Sequence, residues 1–299
     1  MENLRGILFM LLAMVGFTVE DIFIKELSGH MPVGQILVLL GASGGALFWI
    51  YLLLKGERIL TRAVWHPALV ARALCEGLGG MCFATALALV DLSVVASVFQ
   101  ALPLVITMGA ALFLGETVGW RRWSAILVGF IGVLMIIRPG FEAFNPSVLL
   151  VLVAVICIAG RDLITRHMRA GVSAGIVSLQ AYGAVVMAGF GLILINDSDM
   201  IRPTFLGWQL LAGVTLFSII SYIAIVTATR LAEASVVTPF RYSRLVFSMA
   251  GGMLIFGERP DAMTLAGAAL IIGSGLYTFL REHQIAQRTK RAERAAAVA

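Results

Sequence analysis

The sequence predicts an all-α integral membrane protein, with ten transmembrane helices arranged as two inverted five-helix repeats. Three observations carry this. The 299 residues are 60% hydrophobic and only 13% charged, whereas a soluble domain carries about 25% charge; too few polar residues remain to cover a water-facing surface. Apolar segments long enough to cross hydrocarbon, roughly 20 residues each, recur ten times. Finally, residues 85–116 lie over residues 227–258 without a gap.

The ten segments are read at 5–27, 32–54, 67–90, 92–114, 120–137, 146–165, 173–195, 205–229, 234–256 and 261–280. Span one is too long, and too polar near its end, for a cleaved signal peptide, and no small-residue cleavage site follows it. It is read as a retained span. Span two carries Gly41-x-x-x-Gly45 and span three carries Gly77, Gly79 and Gly80, small residues that allow close helix packing. Pro103 in span four and Pro239 in span nine predict kinks or interrupted turns, freeing backbone groups next to a cavity. Cys75, Cys82 and Cys157 fall inside apolar spans with no disulfide or zinc spacing and are read as packing residues.

Charge placement orients the chain. With a cytoplasmic N-terminus, the inside segments hold Arg5; Lys55, Arg58 and Arg62; Arg121 and Arg122; Arg166 and Arg169; Arg230; and Arg281, Arg288, Lys290, Arg291 and Arg294. The outside segments hold only Lys25, Arg138, Arg202 and Arg259. Such a Lys/Arg bias sets orientation on insertion, so both termini are expected in the cytoplasm and the protein in the cytoplasmic (inner) cell membrane. The net charge of +5 is thereby a topology signal, and no nucleic-acid partner is expected. The basic tail, 282–299, is expected to lie near anionic headgroups.

The repeat pairs Thr85 with Thr227, Ser93 with Ser235, Val94 with Val236, Val95 with Val237, Gly115 with Gly257 and Glu116 with Glu258. A second echo lays Asp21-x-x-x-Lys25 over Asp162-x-x-x-Arg166, a spacing that puts an acid and a base on one helix face. Residues 1–140 and 141–281 are read as the two repeats. Five spans per repeat is odd, so the second must enter the membrane from the opposite side. Inverted repeats of this kind serve alternating access in secondary transporters.

The carrying motifs are LGETVGWRRWSAILVGFIGV (114–133), FGERPDAMTLAGAALIIGSG (256–275), Asp21…Lys25, Ala86-Leu87 and SVVTPFRYSRL (235–245). On these, over nearly its whole length, the chain resembles the EamA-like family of the drug/metabolite transporter superfamily. The resemblance implies a ten-helix fold with a central cavity lined mainly by spans 1, 3, 4, 6, 8 and 9. It also implies export or import of amino acids, vitamins, nucleoside-like metabolites or drugs. One departure stands out: Gln35-Ile-Leu-Val-Leu-Leu-Gly occupies a stretch where many relatives carry an arginine.

A charge at the bilayer centre costs about 2.5–3.5 kcal/mol on insertion scales, so the intramembrane charges are the candidates: Glu20, Asp21, Arg72, Glu76, Arg161, Asp162, Arg241 and Arg244. Thr238, Arg241, Arg244/Leu245 and Ser248 recur at helical steps on one face, over the apolar Ala96, Phe99, Leu102 and Ile106 of span four. Arg241 and Arg244 are read as holding an anionic group, which suits the planar guanidinium fork; the alternative is that they pair with Asp162, Glu76 or Glu20. Ser218, Ser221 and Tyr222 of span eight either donate to substrate or bond neighbouring helices. Gln100 and Tyr242, which align across the repeat, are further lining candidates, as are Glu76 and Asp162. Glu20, Asp21 and Glu76 compete as carriers of a coupling proton. Arg72 and Glu76 are read as a structural pair, and Glu116 and Glu258 as caps or ion-pair partners at hairpin ends.

Gly41-Ala42-Ser43-Gly44-Gly45 matches G-x-S-x-G by letter, but sits inside a span and not in the strand-turn-helix setting that motif needs. His30, His66, His167 and His283 lie at span ends or beyond. No enzyme, cofactor or metal is expected. The expected function is transport of a small polar metabolite, an amino acid or other organic anion or zwitterion. A larger aromatic or vitamin-like metabolite or drug is the alternative, and a membrane receptor or assembly factor the non-transport alternative. The expected partners are membrane lipid and the solute; a second copy of the chain is compatible with the sequence.

Overall fold

The computed structural model describes residues 2–57, 62–116, 118–140, 144–167, 173–232 and 234–298. Arg58, Arg169 and the side chains of Arg62, Ser235, Thr238 and Arg288–Arg294 lie outside the described residues. The helices are α1 (Glu2–Ser28), α2 (Val33–Lys55), α3 (Pro67–Leu89), α4 (Leu92–Phe99), α5 (Leu102–Phe113), α6 (Trp120–Ile137), α7 (Val148–His167), α8 (Ala174–Ile195), α9 (Phe205–Leu231), α10 (Ala234–Val237), α11 (Ser243–Ile255) and α12 (Ala262–Val298). Among the described residues nine stretches are long and apolar enough to cross a membrane, with α4 and α5 together making one of them. The tenth crossing, span nine, is α10 and α11 joined by a 3₁₀ turn, Thr238–Tyr242. The tail continues the last helix through Val298.

Both broken spans break at one place in the repeat. Span four is interrupted at Gln100 and Ala101, and span nine passes from 3₁₀ to α at Tyr242 and Ser243, which lie 142 residues further on. Pro103 sits in the first turn of α5 and Pro239 inside the 3₁₀ turn. Proline is tolerated at such positions because the missing N–H has no partner to lose there.

Helix pairing obeys the inverted symmetry. Span one packs along span eight, three along six, two along seven, four along nine, and five along ten. Exchanging each span for the one five further on turns the 1–8 pair into 6–3 and returns the other three pairs to themselves. Small residues permit the closest approaches. A Cβ on Gly132 would meet the Gly267 carbonyl at 2.6 Å, and one on Gly34 would meet the Gly189 carbonyl at 2.7 Å.

The Gly-Glu signatures share one turn. Gly115 and Gly257 take φ of 68° and 65°, the left-handed conformation that ends helices at glycine without a Cβ penalty. The next amide then returns to the helix: Glu116 N–H donates to Ala110 O (3.3 Å) and Glu258 N–H to Gly252 O (3.0 Å).

The two faces of the bundle differ. Away from the termini, Leu87, Val90, Leu92, Ile137, Val148 and Val151 close into one buried cluster, flanked by Phe144 and Phe256. Gln35 is buried there and exchanges hydrogen bonds with Ile201 N (2.9 Å) and O (2.6 Å), tying span two to the segment before span eight. Toward the face that bears the termini, Tyr222, Arg166, Glu116 and Arg241 are exposed.

Candidate substrate site

The eight intramembrane charges resolve into paired and unpaired groups. Arg244 Nη2 contacts Asp21 Oδ2 at 2.6 Å, and its guanidinium lies 5.3 Å from the Phe17 ring, 5.7 Å from Phe99 and 6.0 Å from Phe83. Cations over aromatic faces gain further stabilisation where water is excluded. Arg161 bridges Glu76 (2.7 Å) and Asp162 (2.8 Å). Arg72 reaches Glu76 at 3.6 Å and donates to Thr165 Oγ1 at 3.0 Å. Six of the eight charges thus neutralise one another.

Arg241 and Glu20 are left over, with no salt bridge among the described residues. Arg241 is solvent-accessible yet surrounded by protein, with Asp162 the acid it feels most strongly; its backbone carbonyl accepts from Gln100 Nε2 at 3.4 Å. Glu20 faces the Ser218 hydroxyl.

Several placements differ from the sequence reading. Asp21 and Lys25 share a face but not a partner. Lys25 Nζ donates to Val90 O (2.6 Å) and Leu87 O (3.2 Å) and lies 3.7 Å from Glu258. Arg244 pairs with Asp21, not with Asp162, Glu76 or Glu20. The face drawn through residues 241–248 divides: Leu245 is buried with Ala96 and Ala268, and Ser248 meets Thr18 of span one at 3.3 Å. Tyr242 is buried, with its hydroxyl end against Gly275 of span ten. Ser221 is buried against Gly16 and donates to Phe217 O at 2.6 Å. Tyr222 lies within electrostatic reach of Arg72 and Tyr182.

At the far face, Glu258 accepts from Leu92 N–H (2.6 Å), Ser93 N–H (3.0 Å) and Ser93 Oγ (2.7 Å). A carboxylate there satisfies the free donors at the start of span four and meets the positive end of its dipole. Its carboxylate also lies over Gly252, where a Cβ would clash. The repeat-related Glu116 lies 3.9 Å from Arg166, the repeat partner of Lys25.

The aromatic collar of Arg244 was not singled out from the sequence. Phe17 stands one helical turn before Asp21 and Phe99 aligns with Arg241 across the repeat, so spacing held a partial signal; Phe83 carried none.

Comparison with known proteins agrees with this architecture. The pseudopaline exporter CntI of Pseudomonas aeruginosa is 26% identical over 268 residues, 89% of this chain and 93% of that protein. An S-adenosylmethionine uptake transporter of Rickettsia felis is 27% identical over 289 residues, 95% of this chain and 96% of that protein. A riboflavin transporter of Vibrio cholerae is 32% identical over 170 residues, 57% and 56% of the two chains. A solved crystal structure shares the fold with a TM-score of 0.55 at 19% identity, covering 92% of this chain and 98% of that one. The chain is a multi-pass membrane transporter of small molecules and not an enzyme. The EamA-like transporter family model matches residues 4–138 and again 145–280, and the chain belongs to that family.

Proposed function

We propose that this transporter carries a small organic anion or zwitterion, amino acids among them, across the cytoplasmic membrane by alternating access. The observation that carries the reading is Arg241, a solvent-accessible guanidinium surrounded by protein, without a carboxylate within salt-bridge distance among the described residues. An unpaired charge at membrane depth is costly, and a substrate carboxylate offsets that cost through a bidentate contact. Gln100 and Asp162 flank it.

The Lys/Arg excess on the face bearing both termini supports reading that face as cytoplasmic, and on that reading the arrangement is open inward. The Lys25–Glu258 contact then closes the outer end. Its repeat counterpart, Arg166–Glu116, is exposed at the inner end. In transport the two exchange: the outer contact separates as the inner one shortens and is buried.

A larger aromatic metabolite is the second reading, favoured by the rings around Arg244 and by the riboflavin transporter among the relatives.

A thermal-shift panel of amino acids, organic anions and neutral aromatic metabolites tests the choice, since a ligand of the native state raises its melting temperature by mass action. Anions or zwitterions are expected to stabilise the wild type and to fail on Arg241→Ala. Stabilisation by neutral aromatics alone, equal in both proteins, overturns the anion reading in favour of the second.

A further inference from the structure

A cavity of about 430 Å³ lies among spans one, two, seven and eight, lined by Glu20, Ser43, Phe48, Tyr51, Tyr182 and Ser218 among others. Arg241, Arg244 and Asp162 are not among its lining residues. Glu20 is the one charged residue of its wall among the described residues. Phe48 stands 5.7 Å from Tyr182 and 6.4 Å from Tyr51, ring centre to ring centre, forming an aromatic row.

Every other intramembrane acid has a base beside it. Asp21 has Arg244, while Glu76 and Asp162 have Arg161. Glu20, next to Asp21 in sequence, lines the cavity beside the Ser218 hydroxyl; Arg244 lies within electrostatic reach of it but makes its ion pair with Asp21, so Glu20 has no salt bridge among the described residues. A lone carboxylate at this depth is a costly feature whose complement is a positive charge. Aromatic faces attract cations through their quadrupoles, and the remaining wall is mainly apolar, with the hydroxyls of Ser43, Thr215 and Ser218. The wall thus offers one negative group, π faces and a half-open, mainly apolar hollow large enough for a bicyclic body.

We propose that this cavity is a binding site for organic cations, monovalent amines carrying an aromatic or apolar body, with Glu20 as the counter-charge and the Phe48–Tyr182–Tyr51 row as the cation-facing wall. Arg241 is not among its lining residues, and the assignment does not depend on the role given to Arg241.

Tryptamine and indole-3-propionate share a ring and chain length and differ in the sign of their charge, so titration calorimetry with both on the purified full-length protein tests the assignment. Tryptamine is expected to bind the wild type, to lose at least about tenfold in affinity in Glu20→Gln and in the cavity-filling Ser43→Phe, and to bind Arg241→Ala unchanged. Indole-3-propionate is expected to show the opposite pattern, weakened by Arg241→Ala and indifferent to Glu20→Gln. If Glu20→Gln does not elute as a single folded species, Ser43→Phe carries the test. Tryptamine binding equal in wild type and both cavity variants overturns the proposal. So does loss of tryptamine binding in Arg241→Ala alone, or a wild type that binds no tryptamine and instead retains a lipid chain that Ser43→Phe releases. A missing response to indole-3-propionate, with tryptamine behaving as expected, leaves this proposal standing and excludes only that aromatic anion as a ligand of Arg241.

Discussion

Lys25 and Glu258 meet 3.7 Å apart at the face away from the termini, with side chains only 16% and 4% exposed. Their repeat counterparts, Arg166 and Glu116, lie 3.9 Å apart at the other face, 59% and 45% exposed. One pairing has thus been duplicated by the repeat and is buried at one end only. The buried copy is also tied to the backbone, through Lys25 to Leu87 and Val90 and through Glu258 to Leu92 and Ser93. It therefore couples spans one, three, four and nine where they close.

Lys25→Met removes that tie and leaves Glu258 buried without its base, so the far face is predicted to open. A cysteine at Gln100, in a background lacking Cys75, Cys82 and Cys157, reports the change. An impermeant thiol reagent applied from the far face is expected to label it severalfold faster in Lys25→Met than with Lys25 present.

The Asp21–Arg244 pair is predicted to be structural. Removing one member of a buried pair strands the other charge and costs about 3–5 kcal/mol. Asp21→Asn and Arg244→Ala are each expected to lower the unfolding midpoint strongly. A double variant is expected to lose less than the sum, the mark of direct coupling in a double-mutant cycle. Additive losses would show that the two residues act separately.

Arg241→Ala is predicted to behave differently from Arg244→Ala although the two stand one turn apart. It breaks no salt bridge among the described residues and removes a charge that is costly at this depth, so its unfolding midpoint without ligand is expected to be unchanged or raised, where that of Arg244→Ala falls. Comparing the unfolding midpoints of the two alanine variants without ligand checks this.

Arg138, at the end of span five, pairs with Asp261, whose Oδ1 also accepts from Thr264 N–H (2.9 Å) at the start of span ten. The Arg138 hydrogen bond, aided by Thr264, holds the Asp261 carboxyl below its usual range. A depressed carboxyl stabilises the fold above its ordinary titration range, and that contribution fades as pH falls through the lowered value. The Asp261 side chain is 50% exposed, so solvent screening limits the pair to about 0–1 kcal/mol. Asp261→Asn, which still caps the helix, is expected to cost no more than this, while Asp261→Ala loses a further ~1 kcal/mol with the cap. Urea titrations at neutral and acid pH separate the two, with the gap between wild type and Asp261→Asn closing in acid.

What the sequence revealed and what it concealed divide along physical lines. Helix limits were legible because hydrocarbon thickness sets a length: the expected 92–114 is Leu92–Phe113, and the expected 120–137 is Trp120–Ile137. Repeat register was legible too, since Gly115 and Gly257 must both adopt positive φ. Charge pairing was not. Whether Asp21 meets Lys25 or Arg244 depends on how span one is rotated against span nine, 223 residues away, and a four-residue spacing says only which face a side chain shares. The matches of Lys25 to Arg166 and of Glu258 to Glu116 were visible, but the contact between the matched pairs required the packed bundle. Tyr242 aligned with Gln100, yet the 3₁₀ turn sets it against span ten.

The central claim, an anion- or zwitterion-carrying transporter with Arg241 as its anchor, is tested most directly by counterflow in proteoliposomes. Vesicles loaded with an unlabelled ligand from the thermal-shift panel are given the same compound in labelled form outside. The account predicts transient accumulation of label with wild type and at least a tenfold slower rate with Arg241→Ala, reconstituted at equal density, the cost of about one lost charge-assisted contact. Equal accumulation by both proteins would contradict the account.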